Sequence, residues 1–213
     1  LSEPFDRLVT PLGVADDDAQ SPFVLDWAAD GPNFVAAGPG RSGKTNLLLA
    51  ATLQAASVRP PDALDIVVVD FSGRSLRALS ALPHVWYASD PTALEEAVTM
   101  LNADVRPAAV VIDDYDLAAD VLNSEGGALL RTLRDTIRLR KDTYVWVGGY
   151  LDRAGDPLIR HLLMRRSGFA FGGREGLAVL GARPPGDAGD LTLPGRAVFV
   201  QQNRLTVVQI AWV

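Results

Sequence analysis

The 213-residue chain has no cysteine, only two histidines and two methionines, and no apolar run approaching the roughly 18 residues that cross a bilayer. Without cysteine there is no disulfide framework and no thiolate metal site, a composition that fits a reducing compartment. His84 and His161 lie too far apart in the pattern for metal-ligand spacing. No serine sits in a G-x-S-x-G turn, so a Ser-His-Asp hydrolase is not indicated. The N-terminal residues lack a signal-peptide pattern. Positive charge is also short: 20 Lys and Arg against 26 Asp and Glu leave a net charge of −6. Grip on a nucleic-acid backbone comes mainly from Lys and Arg, and the acidic total argues against duplex DNA as the main partner.

What is present is 48% hydrophobic, enough to bury one sizeable core, and residues 1–213 are expected to form one domain. Strand-like and helix-like stretches alternate, which predicts a parallel sheet covered by helices. Residues 12–14 and 22–27 suit a leading hairpin across Asp16-Asp17-Asp18. Asn33–Ala37, Asp65–Val69 and Ala108–Ile112 are short apolar runs that read as buried strands, and Thr143–Val147 and Gly168–Phe171 read as two more. Helices are expected over Lys44–Ala56, Pro91–Asn102, Ala128–Arg140 and near Asp156–Met164. Residues 181–195 are expected to be a loop. Arg196–Gln201 and Arg204–Ala211 make a closing hairpin.

Between the first buried strand and the first helix lies Gly38-Pro39-Gly40-Arg41-Ser42-Gly43-Lys44-Thr45, a full match to G-x-x-x-x-G-K-[ST]. Glycines let such a loop wrap so that successive backbone N–H groups point at phosphate oxygens. The helix start adds its positive dipole end. Lys44 is expected to reach the β- and γ-phosphates and Thr45 to offer its hydroxyl to Mg²⁺. Gly38 through Asn46 are the expected cofactor-binding residues. The strand–loop–helix context predicts an α/β fold of the RecA-like P-loop NTPase kind. That fold has a mostly parallel central sheet, helices on both faces and, here, a C-terminal β-hairpin.

A phosphate-bound Mg²⁺ also needs a carboxylate at the end of a neighbouring strand. Val110-Val111-Ile112-Asp113 supplies one, and Asp113 with Thr45 is the expected metal pair. Asp70 after Ile66–Val69 has the same local pattern. It reads equally as a strand-end turn carboxylate. The residue after Asp113 is Asp114, the candidate catalytic group, one methylene shorter than the Glu that many motor ATPases place there. Arg131, Arg134 and Arg138 recur at helical spacing and read as the solvated face of an amphipathic helix. Trp86, Tyr87, Trp146 and Trp212 read as core or edge packing.

With Asp113-Asp114-Tyr115-Asp116 in place, the chain resembles the FtsK/SpoIIIE ATPase superfamily, and within it the C-terminal, degenerate ATPase domain of EccC/EssC-type type VII secretion ATPases. GPGRSGKTNLLL, VVVDFSGRSL, AVVIDDYDLAA and LPGRAVFVQQNRLTVVQIAW carry the resemblance over most of the chain from Leu12 onward. The resemblance implies ATP and Mg²⁺ as cofactors. It also implies a cytoplasmic domain excised from a longer, multi-ATPase-domain bacterial membrane protein. The partners it implies are the other ATPase domains of that polypeptide and small helical-hairpin secreted proteins, with the membrane reached only through the full-length protein. Two departures weaken the hydrolytic side: Asp114 replaces Glu, and Gly149-Tyr150-Leu151 stands where DNA-pumping relatives carry a Thr-Gln-Arg sensor. A weakly hydrolysing or non-hydrolysing module that recognises substrate is the leading expectation. The alternative is a competent motor that translocates DNA or protein once assembled in a ring.

Overall fold

The computed structural model describes residues 8–73, 75–151, 155–184, 186 and 190–213. Val9–Ala15 (β1) and Pro22–Asp26 (β2) pair antiparallel around the acidic turn, as the expected hairpin. Asn33–Ala37 (β3) is buried at every position and feeds Lys44–Val58 (α1) through the glycine-rich loop. Asp65–Val69 (β4), Val85–Ala88 (β5), Pro91–Ala103 (α2) and Ala108–Ile112 (β6) follow. Then come Tyr115–Ser124 (α3), Ala128–Leu139 (α4), Thr143–Gly149 (β7), Pro157–Leu163 (α5) and Ser167–Phe171 (β8). Arg174–Val179 (α6), Arg196–Gln201 (β9) and Arg204–Ile210 (β10) complete the described order.

All these strands join one sheet in the order β2-β1-β10-β9-β8-β3-β7-β6-β4-β5. The six from β8 to β5 run parallel, and β9, β10, β1 and β2 extend the β8 edge by antiparallel pairing. The C-terminal hairpin therefore lies inside the sheet, joining the leading hairpin to the parallel block. Fully buried β4 and β6 are near-continuous apolar runs because both their faces are covered. Alternation along β3 divides the core: Val35 and Ala37 meet the side of α2 to α6, whereas Phe34 and Ala36 meet the side of α1. On the α1 side Trp27, Phe34, Trp146 and Phe169 form an aromatic cluster, with Phe34 and Trp146 stacked at 4.4 Å between centroids.

Helix α2 shows how a local signal sets a boundary. Asp90 caps it by accepting from Ala93 N at 3.0 Å, and Pro91 takes the first turn, where its missing N–H costs nothing. Four elements do not appear in the sequence expectations: β5, α3, α6 and a short 3-10 helix over Arg77–Ala81. Strand β5 is only four residues long and mostly half-exposed, α6 is six residues, and α3 is hidden by the acidic motif that opens it. Of the expected loop over 181–195, residues 185 and 187–189 lie outside the described residues. No helix among the described residues is long and apolar enough to cross a membrane.

Candidate functional site

In a parallel sheet every strand delivers its following loop to the same edge. Gly38 after β3, Asp70 after β4, Asp113 after β6 and Tyr150 after β7 all emerge there. The loop between β3 and α1 needs its glycines. Gly38 has φ +150, and a β-carbon on it would lie 2.5 Å from the Phe171 carbonyl oxygen. Gly43 has φ +110 and opens α1, and a β-carbon there would lie 2.8 Å from Gly195 N. The close approach to Gly195 explains much of the LPGRA segment. Gly195 N donates to Ser42 O at 2.9 Å, Ile210 N donates to Gly195 O at 2.8 Å, and Gln209 Nε2 donates to Pro194 O at 3.3 Å. The C-terminal hairpin thus braces the glycine loop from behind.

Lys44 Nζ donates to the carbonyls of Gly38 at 2.9 Å and Pro39 at 2.5 Å, so it arches over the loop it follows. Burial pulls its ammonium below the ordinary lysine range, while the charges of Asp113, Asp114 and Asp116 pull the other way. Thr45 Oγ1 donates to Asp113, at 2.9 Å to Oδ2 and 3.1 Å to Oδ1. The Asn46 side chain is engaged elsewhere: Nδ2 donates to Ala211 O at 2.7 Å, and Oδ1 accepts from Val213 N at 3.2 Å.

Strand order separates the two candidate carboxylates. Only β7 lies between β3 and β6, so Asp113 comes within reach of Thr45, while β4 is one strand further out. Asp70 is occupied in its own turn, accepting from Ser72 Oγ, Gly73 N, Leu76 N and the Tyr87 hydroxyl. That is the work of a strand-end turn carboxylate. Burial raises the Asp113 carboxyl to about 6, against the Thr45 hydrogen bond, which lowers it, and with the Asp70 charge, which raises it. Asp114 is exposed and opens α3 with φ 48, a left-handed conformation that Asp tolerates better than longer side chains.

Two residues gain a place that their sequence pattern hides. The Tyr150 hydroxyl accepts from Gly40 N at 3.2 Å, and Lys44 Nζ stands 5.7 Å from the centre of its ring. Asp116 Oδ2 holds that turn by accepting from Tyr150 N at 2.8 Å and Leu151 N at 3.1 Å. Trp212, expected in packing, is instead 83% exposed. It lies past the end of β10 beside the glycine loop, where no strand among the described residues covers it. Trp212 had no local signal. In the arginine stripe, Arg134 is not solvated: its Nη2 lies 2.6 Å from Asp156 Oδ2. Arg138 is exposed beside Asp135.

The chain is similar to several known proteins. A segment of 119 residues is 32% identical to ESX-5 secretion system protein EccC5 of Mycobacterium marinum, covering 53% of this chain and 9% of that protein. The chain therefore spans under a tenth of that relative. The cytoplasmic domain of the type VII secretion ATPase EccC from Thermomonospora curvata superposes with a TM-score of 0.74 at 23% identity, over 98% of this chain and 26% of that one. A fragment of the same protein, ATPases 2 and 3 in complex with a signal sequence peptide, superposes with a TM-score of 0.73 at 22% identity, over 97% of this chain and 41% of that one. At these identities the solved structures establish the fold, that of a RecA-like P-loop ATPase. The model of the FtsK/SpoIIIE family matches residues 4–117, over half of the sequence, and the chain belongs to the FtsK/SpoIIIE family.

Proposed function

We propose that this chain binds ATP with Mg²⁺, hydrolyses it slowly or not at all, and serves as a substrate-engaging domain of a type VII secretion ATPase. The single observation that carries the nucleotide reading is the Thr45–Asp113 pair, closed at 2.9 Å beside an intact glycine loop. The residues fit the group. Hydroxyl and carboxylate oxygens are the hard donors Mg²⁺ takes, and it is usually held by one or two carboxylates plus phosphates. A buried carboxylate with its proton affinity raised is also one that gains from a neighbouring cation. When bound, Mg²⁺ would supply positive charge between the phosphates and Asp113. The loop amides of Gly40 to Lys44 would orient the phosphates, and Lys44 would leave the Gly38 and Pro39 carbonyls to meet them.

Slow hydrolysis follows from Asp114, whose short side chain reaches less far toward an attacking water than Glu would. Misplacement of about 1 Å costs roughly a hundredfold. The secretion reading draws its support from the EccC relatives, one of which is a fragment holding a signal sequence peptide. On that reading residues 1–213 are a single domain of a longer membrane-anchored protein, facing the cytoplasm. Its partners are the neighbouring ATPase domains and a small helical-hairpin exported protein. The test is an ATP–Mg²⁺ titration run beside a turnover assay. Saturable binding without turnover near 1 s⁻¹ is expected. Turnover at or above that rate in the isolated chain would sink the non-hydrolysing part. A ring-active motor is the second reading, favoured by the intact glycine loop and the closed Thr45–Asp113 pair. Assembly-dependent hydrolysis abolished by Asp114→Ala would establish it.

A further inference from the structure

Beside the glycine loop, Arg41, Asn46, Leu49, Ser75, Pro194 and Trp212 line a cavity of about 520 Å³. Gly43, Lys44 and Thr45 belong to the same lining, so cavity and phosphate loop share a wall. We propose that this cavity takes the base and sugar of the nucleotide, with Trp212 stacking on the base, so that purine nucleotides are preferred over pyrimidine ones with little distinction between adenine and guanine. The proposal rests on the nucleotide reading above and names the part of the ligand that reading leaves unplaced.

The indole is 83% exposed, although Trp is among the side chains that gain most from covering. Its backbone is nevertheless held on both sides. Asn46 bonds the main chain at Ala211 and at Val213, and Ala211 N donates to Leu12 O at 2.9 Å. A flat apolar ring on a fixed backbone, at the rim of a cavity that opens onto an anion cradle, suits a ligand with an anionic tail and a flat head. Nucleotides have that shape.

Selectivity follows from what the polar groups are doing. A carboxamide is the side chain best matched to the edge of adenine, donating and accepting at once. Asn46 spends one N–H on Ala211 O and one oxygen lone pair on Val213 N, and these two bonds fix its amide plane against the main chain on either side of Trp212. Ser75 offers a hydroxyl, which donates or accepts equally well and cannot tell an exocyclic amine from a carbonyl. Arg41 belongs to the glycine loop, and its guanidinium, a cation with donors only, is drawn first to the phosphate oxygens. Stacking is then the main recognition, and it tolerates any base while favouring the larger ring system.

The experiment compares parent, Trp212→Ala and Trp212→Phe proteins, titrated with the Mg²⁺ complexes of ATP, GTP, CTP and inorganic tripolyphosphate. Trp212→Ala is expected to weaken ATP and GTP by roughly 10- to 100-fold, with tripolyphosphate changed less than about twofold and Trp212→Phe within a few-fold of the parent. In the parent, ATP and GTP should agree within about threefold and exceed CTP by about tenfold. Trp212→Ala binding ATP as tightly as the parent would overturn the stacking site while leaving the phosphate loop reading intact. Equal losses for ATP and tripolyphosphate would also overturn it, by showing a structural effect. An ATP preference over GTP beyond tenfold would overturn the selectivity. A parent that binds neither tripolyphosphate nor ATP would remove the nucleotide reading and this inference together.

Discussion

The phenol oxygen of Tyr150 accepts a hydrogen bond from the backbone N–H of Gly40 at 3.2 Å. A side chain from the end of β7 thereby occupies one of the donors that the glycine loop would offer to phosphate. The turn that presents it is held by Asp116, which bonds the N–H groups of Tyr150 and Leu151. An entering phosphate must take that donor from the phenol. A single hydrogen bond is worth about 0.5–1.5 kcal/mol net, so Tyr150→Phe is expected to tighten ATP–Mg²⁺ binding roughly two- to tenfold, read by calorimetric titration. Weaker binding by the Phe variant would mean that the phenol contacts the nucleotide instead.

Asp113 makes the folded protein sensitive to pH. Burial raises its carboxyl to about 6 from an ordinary 3.8, so the folded state holds the proton more tightly than the unfolded chain does. Its contribution to stability is full below pH 3.8 and is lost as pH rises through about 6. Above that, the ionised carboxylate costs about 3 kcal/mol, to order of magnitude. In magnesium-free buffer Asp113→Asn should raise Tm by several degrees at pH 7.5, and the gain should shrink toward zero near pH 4. Thermal melts across pH 4–8 check this; a gain of equal size at pH 4 would rule out the assignment. The same variant should lose the magnesium-dependent part of its ATP affinity.

Arg134 should prove structural. It pairs with Asp156, which also accepts from the Tyr115 hydroxyl at 3.0 Å and caps α5 through Leu158 N and Ile159 N. Arg134→Ala leaves that buried carboxylate without its cation and should cost about 3–5 kcal/mol, measured by urea unfolding. ATP affinity at temperatures where the variant stays folded should change less than about twofold. A large affinity loss with normal stability would instead mark Arg134 as part of the site.

Gly195 ties the C-terminal hairpin to the glycine loop at φ +78, and a β-carbon added there would fall 2.8 Å from Gln209 Nε2. Gly195→Ala should cost about 1–2 kcal/mol from the left-handed backbone alone. It should also weaken ATP–Mg²⁺ binding, because Gly195 N is bonded to Ser42 O. Melts and titrations together test this, and unchanged affinity would mean that the brace does not act on the loop.

Asp113 was legible because a β-branched run ending on a carboxylate is a local pattern, and its spacing from Lys44 leaves room for a crossover. That spacing already favoured it over Asp70, and the strand order supplies the physical reason, since only β7 separates β3 from β6. Residues that meet across long stretches of chain were not legible. Gly40 and Tyr150 are 110 positions apart, and Asn46 and Ala211 are 165 apart; nothing in either neighbourhood encodes the other. Strand β5 escaped because a short edge strand with mixed burial has no clean period.

The amino-acid order by itself determined the strand–loop–helix unit at Gly38–Thr45, the buried strands and the acidic strand end at Asp113. Those depend on glycine conformations and on apolar periodicity within a few residues. Only the tertiary structure decided that Tyr150 covers Gly40, that Asn46 clamps the segment bearing Trp212, and that the C-terminal hairpin braces the loop from inside the sheet. Those contacts depend on which strands become neighbours, and strand order is set by packing the whole core at once.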